Sequence, residues 1–214
     1  MKSLVDHLSQ YAAYHRDPRN IASHFIGIPL IVVAVAVLLS RPQWELGGLW
    51  ISPAVVVALA SARFYLRLEL KLGVLMTVLM GLPVWAGHAL AQQSTMVWLS
   101  SGLAMFVIGW VIQFVGHHYE GRKPAFVDDI SGLIVGPLFV VAELAFLLGL
   151  RQELKQEIEL RAGVVRVNPN RAAVQIVFAS RLAPTFGMSF PCGSEPAREA
   201  FAFKYWRLSA RPSA

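Results

Sequence analysis

The chain has 214 residues, of which 56% are hydrophobic and 15% charged, where a soluble domain carries about a quarter charged. A single cysteine, Cys192, excludes an intramolecular disulfide and a cysteine-rich metal site. The net charge of +6 does not indicate a nucleic-acid partner: residues 1–162 hold 12 Lys/Arg against 11 Asp/Glu, residues 163–214 hold 7 against 2, and the basicity belongs to the tail.

In chain order, the first twenty residues are polar and lack the apolar stretch of a secretory signal. Residues 3–15 read as a short amphipathic helix with Leu4, Leu8, Tyr11 and His15 along one side. Asp17 followed by Pro18 reads as an N-cap and first helical residue. Five apolar segments follow, at 21–39, 49–62, 72–91, 96–116 and 133–150. A membrane-spanning helix needs about 20 apolar residues, a length the first, third and fourth meet. The second is short, with Arg63 and Arg67 placed to snorkel from its end. The fifth contains Gly136, Pro137 and Glu143 and reads as a broken or re-entrant helix. The predicted fold is an all-α polytopic membrane protein of four to five apolar segments. Residues 1–161 form its membrane-embedded domain, ending in a charged helix over 151–161. Residues 162–214, with five prolines, read as a basic, poorly ordered tail.

Loop charge sets an orientation. Lys2, Arg16 and Arg19 precede the first span, Arg63, Arg67 and Lys71 follow the second, and Arg122 and Lys123 follow the fourth. The other two loops share only Arg41, so the N-terminus and the even-numbered connections are predicted to be cytoplasmic. The membrane is an inner membrane if the source is bacterial and the endoplasmic reticulum if it is eukaryotic. Oligomeric state has no signal in the sequence.

Three polar clusters then share one membrane edge: His15, Asp17, Asn20 and His24; Gln113, His117, His118 and Glu120; and Asp128 with Asp129, leading to Glu143. Asn20 and His24 are i,i+4 and face one way. Gln113, His117 and Glu120 form one stripe if the helix continues that far, with His118 about 100° around it. Such a set of imidazoles with a carboxylate suits iron, zinc, copper or nickel. The plainer reading is that these polar groups sit in the headgroup zone and set topology. His88 lies toward the opposite side and reads as a packing residue, and His7 as a solvated one.

Tyr11, His15, Asn20, His24, Gly27 and Pro29, then Gln113, Gly116, His117, Glu120, Arg122, Pro124 and Ala125, then Pro137, Leu138, Phe139 and Glu143, form a pattern. Over roughly residues 1–161 it resembles the 2-hydroxy fatty acid dioxygenase family of small membrane proteins, whose fungal member acts in phytosphingosine breakdown. The resemblance implies Fe(II)-dependent oxidation of a 2-hydroxy fatty acid by O2, with one carbon lost as CO2. It maps the metal ligands onto His15, His24 and His117, and His118 next to them is counted as a fourth candidate ligand. Asn20, Gln113 and Glu120 become catalytic candidates. Arg16, Arg19, Arg122 and Lys123 are candidates for holding the carboxylate, and Asp17 and Glu143 for supporting the ligands from behind. The acyl chain would lie between the spans, in contact with membrane lipid. No glycine-rich nucleotide loop is present, in line with a reaction whose substrate supplies all the electrons. Two other readings stay open: a zinc-dependent membrane lipid hydrolase with a Glu120-activated water, and a non-enzymatic lipid-binding or scaffold protein.

Overall fold

Ser3 starts the first element. Its hydroxyl accepts from the Asp6 amide while the Asp6 carboxylate accepts from the Ser3 amide, a reciprocal capping box that opens α1 (Leu4–Ala12). The computed structural model describes residues 2–166, so expectations for later residues, Cys192 included, lie outside it. Asp17 caps α2 (Pro18–Leu38) by accepting from the Arg19 amide, with Pro18 at the first position, as the sequence predicts. There follow α3 (Pro53–Leu68), α4 (Leu70–Ala91), α5 (Thr95–Glu120), α6 (Gly132–Leu147) and α7 (Gln152–Ala162). A short 3₁₀ turn, Ala125–Val127, lies between α5 and α6.

The protein is an all-α polytopic membrane protein. α2, α4 and α5 are each long and apolar enough to cross a membrane, and α6 and α7 form a pair bent by 119°. That bend is the break predicted for the fifth segment, but it is not at Gly136 and Pro137. Pro137 removes one N–H near the start of α6, too little to end it. The chain turns instead at residues 148–151, where Gly149 and Arg151 adopt φ of 77° and 56°.

The second apolar segment needs correction. Leu49–Ile51 is a strand, β2, paired antiparallel with β1 (Trp44–Leu46), Trp44 opposite Ile51. Gly47 and Gly48 make the two-residue turn with φ of 60° and 79°, a conformation that favours glycine. The helix begins only at Pro53, and at 16 residues α3 is shorter than a full span.

One packing feature positions the site. Gly102, Gly109 and Gly116 recur every seven residues on α5, are buried, and face α2. A Cβ at Gly109 would lie 2.7 Å from Ile31 Cγ1 and 3.1 Å from the Gly27 carbonyl oxygen. Small residues let two membrane helices approach at backbone distance, and this one brings the start of α2 against the end of α5. Across that end lies α1, whose Leu4, Leu8, Tyr11 and Ala12 pack on Val135, Leu138, Phe139 and Ala142 of α6. α7 covers α1, with Ile158 buried and Arg161 paired with Asp6 at 2.7 Å.

Candidate metal centre

Three histidines converge from three parts of the chain: His15 from the link between α1 and α2, His24 from the second turn of α2, and His117 from the last turn of α5. Their relative exposures are 0%, 1% and 6%. Ring centroids lie 4.4 Å apart for His15 and His24, 5.0 Å for His15 and His117, and 5.2 Å for His24 and His117. One ring nitrogen from each lies within 4.8 Å of the others. Nitrogens sharing an ion at about 2.1 Å are separated by roughly 3–4 Å, so small side-chain shifts complete the set.

The hydrogen bonds suit a metal. His15 Nδ1 bonds the Tyr11 carbonyl at 2.7 Å, and His24 Nδ1 bonds the Asn20 carbonyl at 2.8 Å. A carbonyl only accepts, so each Nδ1 carries the proton and each Nε2 the lone pair. His15 Nε2 is buried without a hydrogen-bond partner, an uncommon and costly condition for a polar atom. Burial, reinforced by the neighbouring His24, holds the His15 pKa well below the usual imidazole range. The ring is therefore neutral, the form that binds a metal.

Glu120 explains how His15 is held. Its Oε2 accepts from the Arg16 amide at 2.9 Å, the Asp17 amide at 2.7 Å and Asn20 Nδ2 at 3.2 Å. The stripe predicted on α5 is continuous and buried at Gln113, His117 and Glu120, so the helix that carries His117 also clamps the loop that carries His15. Asn20 is fully buried beside it.

His118 is not brought in as the fourth ligand expected of it, because its 100° offset from His117 turns it off the buried stripe of α5. His118 is exposed, its ring beside Tyr119, outside the cluster. The cations proposed for the carboxylate are not brought into the histidine cavity. Arg16 Nη1 donates to the Gly163 carbonyl at 2.6 Å, on the α7 side. Arg19 pairs with Asp17 at 2.9 Å and lies over the Tyr119 ring. Arg122 donates to the Ala13 carbonyl, and Lys123 pairs with Asp128. Asp17 thus serves the α2 cap and Arg19. Glu143 is half-buried near Arg16, and among the described residues it has no hydrogen bond to a histidine.

A cavity of about 70 Å³ lies against the cluster, lined by Tyr11, His24, Gln113 and His117 among others. Gln113 Nε2 is buried there without a hydrogen-bond partner, and a Cβ on Gly27 would lie 2.6 Å from it. Tyr11 heads the motif that carries the family resemblance, but the sequence reading gives it no role at the site. Its ring stacks on His15 at 4.2 Å and 9°, with Phe139 behind at 5.0 Å. Burial raises the Tyr11 pKa, so its phenol stays protonated.

Fold and site together define a class: a helical membrane protein with a buried three-histidine cluster able to hold a metal. The family described as 2-hydroxy-palmitic acid dioxygenase Mpo1-like matches residues 1–148, and the chain belongs to it. The chain is similar to the 2-hydroxy-palmitic acid dioxygenase MPO1 of Saccharomyces cerevisiae, with 33% identity over 163 residues, covering 74% of this chain and 90% of the yeast protein. No solved structure matches the chain.

Proposed function

We propose that the protein is an iron(II)-dependent dioxygenase that converts a long-chain 2-hydroxy fatty acid, R–CHOH–COOH, and O2 to R–COOH, CO2 and water. The observation that carries this reading is the convergence of three buried, metal-competent imidazoles on a cavity inside an apolar bundle, in a chain of this family. The name of the yeast relative supports the substrate class.

His15, His24 and His117 would hold the metal. Bound iron(II) would supply the one-electron chemistry that O2 needs to react with an organic acid. The chain's own groups bind and orient the substrate. Gln113 offers an unpartnered amide N–H to the carboxylate, and Gly27 leaves room for that amide. Tyr11, kept as a neutral phenol, offers a second donor at the cavity wall. Asn20 and Glu120 hold the His15 loop, which is their catalytic contribution in this reading. Ile28, Ile31 and Trp110 line the same cavity and exclude water. Loop charge supports a cytoplasmic placement of the site.

Hydrolysis is disfavoured: Glu120, the base it needs, does not line the cavity, and its carboxylate is oriented by three donors to Oε2 with only a buried Oε1 left over. The test is to load the full chain with iron(II) or zinc and supply carboxyl-labelled 2-hydroxyhexadecanoic acid with air. Labelled CO2 and pentadecanoic acid from the iron-loaded protein alone support the proposal. Their absence from folded, iron-loaded protein rejects it.

A further inference from the structure

Beyond the histidine cavity lies a second, larger one of about 480 Å³, a cleft between the helices that is open along part of its wall at Val57 and Leu133, within the usual range of ligand pockets. The two share Ile31, Val32, Trp110, Leu133 and Pro137 in their walls. All five helices from α2 to α6 contribute to the larger one. Its polarity contrasts with the first. The hydroxyls of Ser61 and Tyr65 on its wall are donated to the carbonyls of Val57 and Ile134, at 2.8 and 2.7 Å. At the histidine end, by contrast, His15 Nε2 and Gln113 Nε2 are buried without partners.

We infer that this second cavity is the acyl-chain channel of the enzyme and that its far end, bounded by Leu39, Ala54 and Ala58, measures the chain. The inference rests on the proposed dioxygenase reading. The stripe on α2 that begins at His24 continues through Ile28, Ile31 and Val35 to Leu39. On α5 the stripe of His117 and Gln113 continues to Trp110 and Phe106. Each helix therefore carries polar groups at one end of a face and apolar wall along the rest, matching a headgroup and its tail. Fifteen residues separate His24 from Leu39, a rise of about 22 Å. A saturated chain of sixteen carbons, at the roughly 1.2 Å per bond of an extended backbone, spans about 18 Å. The channel therefore takes a long chain with its carboxyl end at the histidines. Ala54 and Ala58 keep the far end open on α3, about one turn or roughly 6 Å of rise apart.

The test has two arms. The full chain, metal-free in lipid nanodiscs, is irradiated with 2-hydroxyhexadecanoic acid carrying a diazirine at its methyl end. Adducts confined to Ala36, Leu39, Ala54 and Ala58 support the channel. Adducts on outward-facing residues such as Val78 and Trp85 overturn it. In the second arm, Ala58→Phe blocks the last turn, removing space for about four methylenes. Each buried methylene contributes about fourfold, so the kcat/KM ratio of the sixteen-carbon to the ten-carbon 2-hydroxy acid falls by roughly two orders of magnitude. An unchanged ratio in the active variant overturns the proposal. Should the wild type label inside the channel yet turn over no 2-hydroxy acid, the dioxygenase reading fails and the channel stands. Turnover with labelling outside the channel rejects the channel and leaves the dioxygenase reading standing.

Discussion

Removing the Glu120 carboxylate is predicted to release the metal without touching a ligand. Glu120 is 4% exposed, and its Oε2 satisfies two backbone amides and the Asn20 amide. Glu120→Ala leaves the Arg16 and Asp17 amides unpaired in the interior and strips Asn20 Nδ2 of its shorter bond, leaving it only the Tyr14 carbonyl at 3.4 Å. Each buried unsatisfied donor costs about 1–3 kcal/mol, and breaking a buried charge-assisted cluster costs about 3–5 kcal/mol in total. At roughly 2–4 °C of Tm per kcal/mol for a chain of this size, the metal-free protein melts on the order of 10 °C lower. The loop of His15 then loses its tie to the helix of His117, and iron content falls with it. Glu120→Gln keeps one acceptor oxygen and is predicted to retain most of the stability and iron. The assay is thermal unfolding in detergent, paired with metal analysis of the same preparations. Full iron and an unchanged melting temperature in Glu120→Ala would refute the clamp. A Glu120→Gln variant that is stable and iron-replete yet inactive would also refute it, and would make Glu120 a proton-transfer group.

Three further outcomes follow. His24→Ala is predicted to abolish stoichiometric iron binding while His118→Ala leaves it unchanged, since His118 is exposed and outside the cluster; equal losses in both would contradict the ligand set. Gly109→Leu drives a side chain into Ile31 and the Gly27 backbone, costing about 1–3 kcal/mol or more, which a lowered melting temperature reports. Finally, His15 stays neutral when folded and protonates near its ordinary value of 6.5 when unfolded. The unfolded chain therefore binds more protons below that value. Stability of the metal-free protein is full above it and declines as pH falls toward the folded-state pKa, by up to about 1.4 kcal/mol per pH unit. Melting curves across this range check the slope, which His15→Gln should flatten.

The histidine cluster is legible in part: helical spacing places His24 and His117 on defined stripes and the family resemblance joins His15 to them, but the sequence puts His15 on the first helix, which ends at Ala12 and leaves His15 in the link to α2. The same spacing separates His118 from His117. The α2 start was legible for a local reason, the Asp17–Pro18 pair. The β-hairpin was not: Leu49, Trp50 and Ile51 read as the start of an apolar span, and the adjacent Gly47 and Gly48 were the overlooked turn signal. Nor were the partners of Arg16, Arg19, Arg122 and Lys123. Long cationic side chains choose among carbonyls and carboxylates that only the tertiary structure brings near, such as Gly163 for Arg16 and Ala13 for Arg122. The larger cavity is invisible in the sequence for a similar reason, since its wall is drawn from five helices and belongs to no one periodicity.

The most direct test of the central claim is an oxygen-electrode measurement on the full chain, loaded anaerobically with iron(II) and given 2-hydroxyhexadecanoic acid. One O2 is expected to be consumed per pentadecanoic acid formed, with no uptake by His117→Ala. Absence of oxygen uptake by folded wild-type protein with iron bound would contradict it.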